Sequence, residues 1–187
     1  HIRVRNQLTV GGPKDPDRLQ SRVKRYSAAV LEIKAAVQEL ASVVCDEWKA
    51  DIFSFMRSRP GGSMQAPHKD YTPAETTQGT VPGSVIVALE AGTAFRVFQG
   101  CCDEFDERTE KIVEIPSGYC LIFRGDLINS GVGFQQLNHC LHCYITVDDP
   151  RWEADVVQSA RAAGYFCFHC GDFEGEDAKN VRQHRCT

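Results

Sequence analysis

Pro67-His68-Lys69-Asp70 and, further along, Gly125-Asp126-Leu127-Ile128-Asn129-Ser130-Gly131 are the stretches that decide how this chain reads. On a β-strand, residues two apart point to the same face, so His68 and Asp70 can both reach one metal ion. A His-x-Asp pair supplies two ligands of a 2-His-1-carboxylate set, which holds Fe(II) and leaves coordination positions open. The third ligand is expected to be a His on a later strand. In the strand-turn-strand run from Gly125 to Gly131, that place is held by Asn129. Lys69 points away from His68 and Asp70 and reads as a solvated side chain.

Around these stretches the pattern is one of short strands. Asp51 to Met56 alternates as a strand does, and Pro60-Gly61-Gly62 breaks it. Ser84 to Leu89, Thr93 to Phe98, Lys111 to Ile115, Tyr119 to Phe123 and Cys140 to Val147 follow, separated by turn residues. Such spacing suggests a sandwich or barrel. From Asp17 to about Trp48, Leu19, Val23, Val30, Ile33, Val37, Leu40 and Val44 recur at three- and four-residue steps. That predicts one long helix, or a helix pair, packed on the sheet and capped by Asp15 or Asp17. Trp152 to Ala163 reads as a short helix. The expected organisation is α+β: an N-terminal helical segment over 1–50, a β core over 51–150, and a helix with a Cys/His-rich tail over 151–187.

The β core resembles the double-stranded β-helix (jelly-roll) barrel of the 2-oxoglutarate/Fe(II)-dependent dioxygenases. The resemblance rests on element order, on His68-Lys69-Asp70, and on Pro116-Ser117-Gly118-Tyr119-Cys120-Leu121-Ile122-Phe123-Arg124-Gly125-Asp126. That run matches the family's P-x-G-x-x-x-x-F-x-G-D stretch, and the resemblance covers about half the chain. It implies an oxidative reaction, hydroxylation or demethylation of an unidentified substrate, with Fe(II) and 2-oxoglutarate as cofactors and His68 and Asp70 on the iron. It also implies a distal His where Asn129 stands. On the next strand it implies a basic residue for the far carboxylate of 2-oxoglutarate, where Cys140 stands. An amide oxygen is a poor Fe(II) ligand beside imidazole, and a thiol cannot form the bidentate bridge that Arg offers a carboxylate.

Replacements are available nearby. Cys140 and His142 share a face by period two, so His142 completes the triad if Cys140 looks inward; His139 faces the other way. Arg124 and Arg96 are candidates for the missing anchor. The catalytic candidates are therefore His68, Asp70 and His142, with Asn129, Cys140 and Arg124 at the cofactor. Phe95, Phe98, Leu121 and Phe123 are the expected apolar walls. Two functions stay open: an oxygenase, or a catalytically degenerate binding module. A cupin-type metalloenzyme fits the barrel but not the His pattern.

In the tail, Cys167-Phe168-His169-Cys170 followed by His184-Arg185-Cys186 reads as a structural zinc site of Cys167, Cys170, His184 and Cys186, in which two CxxC thiolates meet a second ligand pair. So short a segment has no core of its own and benefits from a metal staple. A rival pairing joins Cys140 and Cys143 to Cys167 and Cys170, but strand periodicity sends Cys140 and Cys143 to opposite faces. Such a finger is a candidate contact for protein or nucleic acid, although Lys179, Arg182 and Arg185 are offset by Glu174, Glu176 and Asp177.

Composition bounds the rest. The 187 residues are 42% hydrophobic and 25% charged, which describes a globular chain with a real core. A net charge of -4 argues against broad, charge-driven binding to nucleic acid. No apolar run approaches the roughly 20 residues that span a bilayer, and no signal peptide is visible. Nine Cys, an odd count with CxxC pairs, read as reduced thiols and point to cytoplasm or nucleus. A chain beginning at His1 reads as a fragment or a processed product.

Overall fold

Two antiparallel sheets face each other, and alternation along each strand decides which residues meet between them. The computed structural model describes residues 8–9, 17–71 and 79–147, and the backbone of short strands at 156–159, 165–167 and 174–175. The elements are β1 (Leu8–Thr9), β2 (Arg18–Arg22), α1 (Ala28–Val44), β3 (Lys49–Ser58), β4 (His68–Lys69), β5 (Gly83–Ala88), β6 (Thr93–Phe98), β7 (Glu110–Ile115), β8 (Cys120–Arg124), β9 (Asn129–Gly131), β10 (Asn138–Thr146), β11 (Val156–Ser159), β12 (Tyr165–Cys167) and β13 (Glu174–Gly175). One sheet runs β1-β2-β3-β10-β5-β8 and the other β13-β12-β11-β4-β9-β6-β7. The six strands expected between Asp51 and Val147 are present as β3, β5, β6, β7, β8 and β10.

β10 sits at the centre of the first sheet, paired with β3 and β5, and its two faces have different jobs. Leu141, Cys143 and Ile145 join Phe53, Val85 and Val87 on the outer face, which α1 covers with Val37 and Ala41. Cys140 on the inner face packs with Ile86, Ala88, Phe95 and Phe123 between the sheets. Cys140 and Cys143 therefore lie in separate clusters, which removes their rival pairing as one thiolate pair. Gln38 ties the helix to β3. Its Nε2 donates to Trp48 O at 2.8 Å, and its Oε1 accepts from Ala50 N at 2.8 Å.

The expected long N-terminal helix is corrected. α1 spans 17 residues and starts after Ser27, whose hydroxyl caps it by accepting from Val30 N; Asp17 does not cap it, and Asp15 lies outside the described residues. Arg18 to Arg22 is a strand, because pairing with β3 satisfies its backbone and buries Arg18 and Gln20. Leu19 and Val23 have helical spacing, but sheet pairing overrides it. The helix expected from Trp152 to Ala163 is also corrected: Val156–Ser159 is strand β11, held between β4 and β12. Phe98 is not an inner wall. It packs with Cys101 and Ile128 in a separate cluster, whereas Phe95, Leu121 and Phe123 line the interior as expected. Among the described residues, no helix is long and apolar enough to cross a membrane.

This layering predicts unequal costs of truncation. Leu141→Ala, at a fully buried position, is expected to lower the unfolding free energy by about 2–5 kcal/mol in urea titration. Leu40→Ala, on the half-exposed face of α1, should stay within about 0.5 kcal/mol of wild type.

Candidate functional site

Four side chains from both sheets converge on one buried carboxylate. Pro67 leads into the two-residue strand β4, where His68 pairs with Asn129 of β9. The His68 ring is fixed by its Nδ1, which lies 2.9 Å from Ala66 O. A carbonyl only accepts, so Nδ1 is the donor in this contact. The ring's Nε2 lies 3.6 Å from Asp70 Oδ1. From the facing sheet, His142 Nε2 lies 3.6 Å from Asp70 Oδ2. His142 is inward because it stands opposite Ser54 and Ile86 in the register of β10, and its ring meets Tyr144 edge-on at 4.4 Å.

Two neutral donors complete the surroundings of Asp70. Ser84 Oγ donates to Oδ2 at 2.6 Å and Asn129 Nδ2 to Oδ1 at 3.3 Å. Burial acts most strongly on the Asp70 carboxyl and alone would raise it. The polar contact and charge of His142, the charge of His68 and the Ser84 hydroxyl together hold it below the ordinary carboxylate value. Asn129 Nδ2 also donates to Leu127 O at 3.1 Å, so both acceptors orient the amide with its NH2 toward Asp70. At this position the chain presents a hydrogen-bond donor rather than a ligand.

The remaining candidates are placed elsewhere. Cys140 looks inward, and burial in the apolar cluster pushes its thiol up to about 12. Arg124 turns out to Asp126, which it holds at 3.0 and 2.7 Å, and lines no part of the cavity. Arg96 is paired with Glu110 and lies over the Phe98 ring at 4.8 Å. His139 faces away from His142 and pairs with Glu90 at 2.8 Å. Lys69, expected to be solvated, is 7% exposed, because β4 is flanked by β11 as well as β9 and is not an edge. Cys167 ends β12, and Cys170, His184 and Cys186 lie outside the described residues.

The periodicity of β5 marks Ser84 as inward, but nothing local names Asp70 as its partner. Tyr71 was also missed. It is buried beside Asp70, its hydroxyl donates to Ile145 O at 2.8 Å, and its N–H donates to Gly125 O at 3.1 Å. A Cβ on Gly125 would stand 2.1 Å from the Tyr71 ring, which is why the Gly-Asp turn needs glycine here. A cavity of about 30 Å³, room for about two waters, opens among His68, Asp70, Asn129, His142, Met56 and Phe95. Among the described residues, no group of three or more His, Cys, Asp or Glu stands ready arranged for a metal ion.

No family model and no curated protein sequence matches the chain. Solved structures do match. HygX from Streptomyces hygroscopicus, with nickel and 2-oxoglutarate bound, superposes at a TM-score of 0.59 with 12% identity, covering 76% of this chain and 74% of that one. A Pseudomonas putida prolyl-4-hydroxylase gives 0.54 with 14% identity, covering 71% and 73%. A 2OG-Fe(II) oxygenase-family oxidoreductase from Burkholderia pseudomallei gives 0.53 with 13% identity, covering 70% and 69%. The fold of this chain is therefore that of the 2OG-Fe(II) oxygenases.

The Tyr71–Gly125 contact carries a prediction. Gly125→Ala is expected to cost about 1–3 kcal/mol or more through overpacking, read from the urea midpoint. Ser117→Ala, exposed in the turn between β7 and β8, should leave the midpoint unchanged.

Proposed function

We propose that this barrel is a metal-dependent oxygenase-fold protein whose centre has been rebuilt, with His68, Asp70 and His142 holding Fe(II). The observation that carries this reading is the position of His142, whose Nε2 reaches Asp70 from the facing sheet as His68 does from its own. Ligand atoms bound about 2.1 Å from one ion are separated by roughly 3.0–3.4 Å. Each imidazole stands 3.6 Å from Asp70, slightly beyond that range. Two imidazoles and a carboxylate suit Fe(II), and the bond from His68 Nδ1 to a backbone carbonyl is the support that metal-binding imidazoles commonly have. Asp70 keeps lone pairs free, since each oxygen accepts one neutral donor. The donor types therefore suit the ion, and side-chain shifts are needed to bring the three round one centre.

When bound, iron supplies O2 and one-electron chemistry. The chain's own contributions are distinct from that. Ser84 and Asn129 hold the carboxylate in place, and Ala66 O orients the His68 ring. Ile86 and Phe95 keep bulk water from the inner wall. Hydroxylation or demethylation is the reaction class that accords with the fold. The zinc-binding tail remains a second proposal, resting on the spacing of Cys167, Cys170, His184 and Cys186. A barrel that acts by recognition alone is the second reading of the centre, favoured by the bond Asn129 makes to Asp70.

Anaerobic Fe(II) titration, with bound iron counted after desalting, decides between these readings. His68→Ala and His142→Ala are each expected to weaken iron binding by at least about tenfold, and Ser84→Ala by a comparable or smaller factor. Iron binding that His142→Ala leaves unchanged would sink the rebuilt centre. No iron binding at all would leave the recognition reading.

A further inference from the structure

The cavity beside His68 and His142 has a lining whose charge is as informative as its ligands. Among the described residues that line it there is no Lys or Arg, and the charged side chain among them is Asp70. The inner wall at Cys140 is apolar, formed with Ile86, Ala88, Phe95 and Phe123. Three guanidinium groups are engaged elsewhere. Arg18 donates to Ser63 O and, at 2.7 Å, to Val132 O; Arg96 pairs with Glu110 and Arg124 with Asp126. A carboxylate pushed against the apolar wall would lose its hydration and gain no cation, which is costly.

We infer that this cavity takes a short metal ligand carrying at most one carboxylate, and not a dicarboxylate such as 2-oxoglutarate. The inference rests on the proposed metal centre and narrows its ligand class. 2-Oxoglutarate does not fit the described residues: its 2-oxo acid end has the same chemistry as pyruvate, but its far carboxylate meets no cation among those that line the cavity. Pyruvate and 2-oxoglutarate therefore form a matched pair of probes that differ in the group the lining would have to receive.

The experiment is calorimetric titration of nickel-loaded protein with each acid, after a nickel titration that establishes loading. 2-Oxoglutarate is expected to bind no tighter than pyruvate, whether weakly or undetectably. Cys140→Ala, which keeps the wall uncharged, should behave the same. Cys140→Arg, if it folds, should tighten 2-oxoglutarate relative to pyruvate by roughly tenfold or more, the scale of a charge-assisted hydrogen bond. Wild-type protein that binds 2-oxoglutarate tenfold tighter than pyruvate would overturn the inference. Failure to take nickel would count against the metal centre alone. In that case the same titrations of metal-free protein read the lining directly, and binding of 2-oxoglutarate but not pyruvate would still overturn the inference.

Discussion

Burying the carboxylate of Asp70 constrains everything around it. A charge removed from water must be met by partners, and these come from both sheets. His68 and Asn129 approach from β4 and β9, and Ser84 and His142 from β5 and β10. Strand pairing within each sheet does not join the sheets to each other. This polar cluster does so at one end of the interior, and the apolar cluster around Phe95 and Phe123 does so at the other. Removing one partner leaves a buried charge under-satisfied, so the cluster ties site geometry to stability.

Supporting contacts lie where no chemistry is expected. Tyr71 follows Asp70 directly, and its ring is pinned by Gly125, Ile145 O and the edge of Tyr144. Tyr144 in turn packs against His142. A chain of close contacts thus runs from the Gly-Asp turn, through two aromatic rings, to the imidazole on the facing sheet. The outer face of the first sheet is supported separately by α1 and Trp48, whose Nε1 donates to Val81 O at 2.8 Å. The strand that carries His142 is therefore packed on both sides and is a firm platform for a side chain whose position matters.

The two departures from the family pattern become intelligible together. Asn129 turns its NH2 toward Asp70 and so positions the carboxylate, while an imidazole is available from β10 instead. Cys140 adds a small apolar group to the inner wall where the resemblance implies a cation. The first change leaves two imidazoles beside the carboxylate, and the second leaves the inner wall at Cys140 uncharged. Arg96 and Arg124, the sequence's own candidates for compensation, are held by Glu110 and Asp126 and do not supply it.

Features set by local periodicity were legible in the sequence. Alternation located the strands from Asp51 to Val147, put His142 and Cys140 on one face, and separated Cys140 from Cys143. These follow from the two-residue repeat of an extended backbone, which needs no knowledge of neighbours. Features set by pairing were not legible. Leu19 and Val23 have helical spacing, yet β3 offers their segment a strand partner. Lys69 reads as solvated until β11 is seen to cover that side of β4. Ser84 and Tyr71 carry no motif, and their roles exist only once the sheets face each other. Which side chains surround Asp70 is a matter of contacts between residues distant in sequence, and only the tertiary structure decides those.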